Sequence, residues 1–180
     1  MTSGAPLRVY FVIGEASGDI LGSKLVDAFG ELGQNILLGG LGGQAMNKRG
    51  LISLFDISEL SVMGISGVVA RLPNLLKRIN QTAQDIITKN PDVVLLIDSP
   101  EFCYRVAKKV RNAAPAIKIV KFVAPSVWAW RPGRAKKIAP YIDHIFAILP
   151  FEPSSLQARA WLKLKLCLTI ILIHSIYPYG

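Results

Sequence analysis

Histidine and cysteine are scarce in this chain, with two of each among 180 residues. Cys103 and Cys167 stand far apart, no C-x-x-C occurs, and His144 and His174 have no ligand spacing around them. That pattern argues against a zinc site, and no metal is expected. A long apolar run is missing too. A membrane-spanning helix needs roughly 20 apolar residues, and the stretch from Leu166 to Ile173 falls short of that. No basic segment precedes a long apolar one near Met1, so no secretory leader is expected and a cytoplasmic, reducing location is the default. No Walker A pattern, internal repeat or low-complexity stretch is present. Acid is also short: twelve Asp and Glu against 21 Lys and Arg leave a net charge of +9, and none of the twelve lies beyond Glu152. Such an excess suits nucleic acid, acidic headgroups or a phosphorylated substrate. The base is spread over several helices rather than gathered on one aromatic stripe, which favours phosphate or membrane over nucleic acid.

What is present is an ordinary apolar core. Half of the residues are hydrophobic, at 51%, and the length suits one domain. Leu7 to Ile13 is apolar and β-branched and reads as a buried strand ended by Gly14. Leu21, Leu25, Ala28, Phe29 and Leu32 recur at helical spacing up to Gly33. Asn35 to Leu38 reads as a second strand, followed by a glycine cluster, a short helix stopping at Gly50 and a strand candidate over Leu51 to Ile57. A nearly continuous apolar stripe from Ile65 to Ile87 predicts a long helix that Pro73 restarts or kinks. Val93 to Ile97 is the clearest buried strand. A helix from about Phe102 to Asn112, a strand over Ile117 to Val123, a short basic helix near Arg134 to Ala139 and a strand over His144 to Leu149 complete the pattern. Strands alternating with helices imply an α/β fold, with a mostly parallel sheet and helices on both faces.

Four places invite chemistry. Asp98 directly follows the Val93–Ile97 strand, where an open parallel sheet binds ligands. It reads either as a general base or as the N-cap of the next helix. Gly14-Glu15-Ala16-Ser17-Gly18-Asp19 joins the first strand to the first helix. Its small residues let backbone N–H groups approach a phosphate, or they make a tight turn capped by Ser17 or Asp19. Trp128 and Trp130 alternate around Ala129, so in an extended loop both rings face one way. They suit a sugar or acyl chains, with Arg131 and Arg134 available to phosphate; the other reading is two core tryptophans. Gly40-Leu41-Gly42-Gly43-Gln44-Ala45 matches G-x-G-x-x-A, with Glu59 near the place of a ribose-binding acid. It follows the second strand, and its helix is very short, so an NAD site is the weaker reading. The Ile65–Ile87 helix carries Arg71, Lys77, Arg78 and Lys89 beside its stripe. Its first half, with Val68, Val69, Leu72, Leu75 and Leu76, is the lipid-facing candidate, and its second half is expected to pack on the sheet.

Several motifs occur in one order and spacing: Gly14 to Asp19, Met63-Gly64, Ile97-Asp98-Ser99-Pro100-Glu101-Phe102, Pro125-Ser126-Val127-Trp128-Ala129-Trp130-Arg131 and Leu149-Pro150-Phe151-Glu152. Over about residues 7 to 153 the chain closely resembles the N-terminal half of bacterial lipid-A-disaccharide synthases. The resemblance implies a Rossmann-like N-terminal domain of a GT-B glycosyltransferase that uses no cofactor and no catalytic metal. The family joins UDP-2,3-diacylglucosamine to 2,3-diacylglucosamine 1-phosphate through a β-1′,6 linkage and releases UDP. It works as a peripheral enzyme on the cytoplasmic face of the inner membrane. Carried over, Asp98 is the candidate base. Gly14, Glu15, Ser17, Gly18 and Asp19 line the cleft, and Ser126, Trp128, Trp130 and Arg131 lie near the acceptor. Val68, Val69, Leu72, Leu75 and Leu76 meet the bilayer.

The resemblance stops near residue 153. Residues 1–153 are expected to form the acceptor-binding domain. Residues 154–180 are expected to be an atypical apolar tail in place of the nucleotide-sugar domain, with Leu166 to Ile173 read either as a hydrophobic C-terminal strand or as out-of-frame sequence such as a frameshift would produce. A chain of that make-up lacks the donor site and is expected to be inactive. The runner-up reading is a non-catalytic half-domain that binds acceptor lipid or membrane.

Overall fold

The computed structural model describes residues 5–61, 68–122 and 138–146, without the side chains of 61 and 68–71. The elements are β1 (Leu7–Ile13), α1 (Ala16–Glu31), β2 (Ile36–Leu41), α2 (Gln44–Asn47), α3 (Ser58–Ser61), α4 (Val68–Lys89), β3 (Val93–Ile97), α5 (Pro100–Ala113), β4 (Lys118–Phe122), a 3₁₀ turn (Ala139–Tyr141) and β5 (His144–Phe146). The five strands form one sheet in the order β2-β1-β3-β4-β5. Each pairing is parallel, with Phe11 opposite Leu95, and Leu95 opposite Val120. The strand order reverses between β1 and β3, and that reversal opens the crevice where such sheets take ligands.

Side chains alternate across each strand, and both faces are covered. Val9, Phe11 and Ile13 join Leu95, Ile97, Val120 and Phe122 beneath Leu25 of α1 and Met46 of α2. Tyr10 and Val12 join Val94, Leu96 and Ile119 beneath Ile79, Ala83 and Ile86 of α4 and Phe102, Val106 and Val110 of α5. Strands buried on both faces read as continuous apolar runs, which is why β1 and β3 stand out in the sequence. Gly40 has φ +126, and a Cβ there would fall 2.0 Å from the Phe11 carbonyl oxygen. Only glycine fits that edge of the sheet.

Two expectations need correction. Leu51 to Ile57 is not a strand. Its apolar residues anchor in opposite cores, Leu51 with the α1 face and Phe55 with the α4 face, while Ile52 is 90% exposed. The segment wraps the end of the sheet, and one backbone bond, from Leu54 to Gly40, ties it there. Pro73 does not restart the long helix, because α4 runs through it. Beyond Phe146, the rest of the last expected strand lies outside the described residues, as does most of the basic helix expected before Ala139.

Asp143 fastens β5 and the end of α5 to β4. Its Oδ2 accepts from the Ile119 amide at 2.8 Å and from the Arg111 guanidinium. Burial pushes the carboxyl up, but the Ile119 amide and Arg111 outweigh it and hold it below its ordinary value. A carboxylate depressed in the folded state stabilises above its unfolded pKa of roughly 3.9, and that contribution fades as pH falls through the lower folded value. Asp143→Asn is expected to lose about 1–3 kcal/mol at pH 7. It should also flatten the fall of Tm between about pH 4 and 2 relative to the parent. Thermal unfolding across that pH range checks both.

Candidate active site

The crevice between β1 and β3 is built by close approach. Gly14 ends β1, and a Cβ on it would lie 2.3 Å from Ser99 Cβ and 2.6 Å from Ser99 Oγ. The glycine is therefore what lets the two strand ends meet. Gly18 extends this one turn into α1, where a Cβ would lie 2.9 Å from Asp98 Oδ2 and 3.2 Å from Ile13 and Ile97. The helix start thus lies directly against the carboxylate, and the Ser17 hydroxyl donates to Asp98 Oδ2 at 2.8 Å. Three of the expected site residues, Gly14, Ser17 and Gly18, come together with Asp98. Glu15 is the exposed N-cap of α1 and makes no side-chain capping bond.

Asp98 and Ser99 are both left-handed, with φ 53 and 38. Adjacent non-glycine residues in this region store strain of about 1–3 kcal/mol each and persist only where their surroundings over-determine them. Here several contacts do so. Pro100 opens α5, and the Cys103 amide donates to the Ser99 carbonyl at 3.0 Å. The Asp98 carbonyl oxygen accepts from Lys121 Nζ at 2.8 Å and from the Cys103 thiol at 3.2 Å. Burial pushes that thiol well above its ordinary pKa, so it stays a neutral donor. The capping alternatives do not hold. Ser99, not Asp98, is the N-cap of α5 and makes no side-chain capping bond. The Asp98 side chain reaches across to α1 instead, and neither Ser17 nor Asp19 caps α1.

Lys121 is the residue that sequence reading missed. It is 5% exposed, on a strand whose other inward positions are Ile119, Val120 and Phe122. A lysine inside the otherwise apolar run Ile119 to Val123 was the available signal.

Asp19 turns away from the crevice. Its carboxylate accepts from the Gly43, Ala45 and Met46 amides at 2.6, 2.7 and 3.3 Å. It caps α2 and ties the glycine cluster to α1. This also removes the dinucleotide reading. The amides that would hold a pyrophosphate at that helix start already hold Asp19. The would-be ribose acid Glu59 is held by Arg78 at 2.6 to 2.9 Å.

On α4, Leu72 and Leu76 lie one turn apart and are 39% and 44% exposed, while Leu75 packs against the core. Of the basic residues beside that stripe, Arg78 is spent on Glu59 and on the Phe55 ring, 4.5 Å from its centroid. Lys89 pairs with Asp85, and Lys77 is exposed. Side chains of Val68 and Val69, together with Ser126, Trp128, Trp130, Arg131 and the tail 154–180, lie outside the described residues. Among the described residues, no group of His, Cys, Asp and Glu could hold a metal ion. No helix there is long and apolar enough to cross a membrane.

Comparison with known proteins agrees on one family. The family described as lipid-A-disaccharide synthetase matches residues 9–165, which runs past the change of character near residue 153. A lipid-A-disaccharide synthase of Rhodopseudomonas palustris (strain HaA2) is 51% identical over 153 residues, covering 84% of this chain and 39% of the relative. One from Rhodospirillum centenum is 44% identical over 154 residues, covering 85% and 38%. The chain thus spans about two-fifths of the length of these relatives. A solved UDP-N-acetylglucosamine 2-epimerase superposes with a TM-score of 0.61 at 13% identity, covering 87% of this chain and 46% of that one. A likeness that distant shows the α/β fold alone.

Removing the Asp19 carboxylate would leave three amides without their acceptor. Asp19→Ala is expected to cost about 2–4 kcal/mol, read as a lower urea midpoint at unchanged m-value. An unchanged midpoint would show that the carboxylate does not hold this loop.

Proposed function

This chain belongs to the lipid-A-disaccharide synthetase family, and from that premise we propose that it forms the acceptor-binding part of a glycosyltransferase. The reaction moves 2,3-diacylglucosamine from its UDP derivative onto 2,3-diacylglucosamine 1-phosphate. Residues 1–153 supply the Rossmann-like acceptor domain, and a separate nucleotide-sugar domain holds the donor. One observation carries the reading: Asp98 stands at the strand-order reversal with one oxygen fixed by Ser17.

Among the described residues no hydrogen bond reaches Asp98 Oδ1, which leaves it free to accept. In the proposed step Asp98 takes the proton of the acceptor 6-hydroxyl as that oxygen attacks the anomeric carbon. The new C–O bond forms as the bond to UDP breaks, and UDP leaves with the electron pair. The proton ends on the Asp98 carboxyl. Ser17 holds Oδ2, so the carboxylate cannot swing away, which serves orientation. Gly14, Gly18 and Glu15 line the approach. Asp19 supports it from behind through the α2 loop. Ser126, Trp128, Trp130 and Arg131 complete the acceptor site, the arginine on its phosphate. Acylated sugars partition to a bilayer, and exposed Leu72 and Leu76 suit contact with its surface, with Leu75, Val68 and Val69 on the same stretch of helix. The enzyme then works peripherally on the cytoplasmic face of the inner membrane.

The second reading is a non-catalytic half that binds acceptor lipid. UDP release separates the two once a nucleotide-sugar domain is supplied: the first reading expects it, and the second expects none. In a protein joining residues 1–153 to a relative's nucleotide-sugar domain, Asp98→Asn is expected to lower turnover by about 10²–10⁴-fold. Near-normal turnover would exclude the base. For the surface contact, sedimentation with anionic vesicles should fall several-fold in Leu72→Ser/Leu76→Ser. Equal sedimentation would sink that part of the reading.

A further inference from the structure

Lys121 occupies a position where the alternation of β4 asks for an apolar side chain. Val120 and Phe122 face the α1 side, so Lys121 shares the α5 side with Ile119. Phe102, Cys103 and Val106 fill that side. A buried ammonium is costly unless paired and hydrogen-bonded. This one also lies beside the first turn of α5, the positive end of the helix dipole, which adds to the cost. Packing does not explain it, because methionine fills the same volume without charge. Among the described residues its hydrogen bond goes to the Asp98 carbonyl oxygen, at 2.8 Å. That carbonyl belongs to the first of the two left-handed residues that set the direction of the Asp98 side chain. The carboxylate is held at one end by Ser17 and its backbone at the other by Lys121.

We propose that Lys121 is the positioning residue of the site: by holding the Asp98 carbonyl it fixes the left-handed Asp98–Ser99 pair and so aims the carboxylate into the crevice. The role rests on the reading of Asp98 as general base. Lys121 touches no substrate in this account and acts only through Asp98.

The variant to make is Lys121→Met, which keeps the volume and removes the charge. Two measurements separate positioning from support of the fold. In the full 180-residue chain, exchange of the Cys103 amide, which donates to the Ser99 carbonyl, is expected to quicken at least about tenfold, while β1 and β2 keep their protection. The Tm should not fall, since a buried charge has been removed. In the joined transferase, kcat should drop about 10- to 100-fold with the acceptor KM within about twofold. Placed in the Asp98→Asn background, Lys121→Met should cause no further loss, because a residue acting through Asp98 has nothing left to position. An unchanged kcat overturns the proposal. So does an undiminished loss in the Asp98→Asn background, which would mean that the lysine acts on substrate directly. Near-normal turnover of Asp98→Asn alone is a different failure: it removes the base, and the positioning role with it.

Discussion

Between the ends of β1 and β3 there is no room for a side chain. A Cβ on Gly14 would overlap Ser99, and one on Gly18 would press on the Asp98 carboxylate. The start of α1 is therefore set directly on the end of β3. Every feature of the crevice follows from that approach. The Ser17 hydroxyl comes within hydrogen-bonding distance of Asp98 only because the backbone carrying it is so near. The left-handed Asp98–Ser99 pair turns the chain away from the same contact and into α5. The strand order reverses between β1 and β3 at this junction, the place where open parallel sheets take ligands.

Charge is used in two distinct ways around this frame. Four carboxylates close the fold at its margins. Asp92 clasps Arg8, Asp27 clasps Arg49, Glu59 clasps Arg78 and Asp143 clasps Arg111. These pairs join segments distant in sequence at half-exposed positions, where each adds modest stability and helps define register. Inside, the pattern changes. Asp19 is buried and satisfied by backbone amides, so it shapes the loop after β2. Lys121 is buried against a carbonyl, and Asp98 is left half-exposed with one oxygen committed. A carboxylate oriented but not saturated is what proton transfer at the mouth of a crevice requires.

The strands were legible because burial on both faces removes any need for polar residues along them. Leu7–Ile13 and Val93–Ile97 coincide with β1 and β3 for that reason. The Leu51–Ile57 stretch misled because its apolar residues serve two cores on opposite faces of the sheet, which no local periodicity records. Pro73 starts no new helix. A missing amide costs one helix bond, and the remaining turns of α4, with Ile79, Ala83 and Ile86 anchored in the core, outweigh it. Of the candidate site, Asp98 and the Gly14–Asp19 turn were visible as residues that end strands. Which of them face each other was not. Ser17 and Asp19 look equivalent on the page of sequence, yet one meets Asp98 and the other caps α2.

Sequence by itself determined the α/β class, the main strands, the family and the segments that meet at the crevice. Each of these is written in local composition or in ordered motifs. Tertiary structure alone decided the direction of each side chain at the junction. Asp98 reaches to α1 rather than capping α5, Asp19 turns to α2, the dinucleotide pattern is closed by its own carboxylate, and Lys121 reaches Asp98 from β4. The reason is physical. Those contacts join residues more than twenty positions apart, and only the parallel pairing of β2, β1, β3 and β4 brings them within hydrogen-bonding distance.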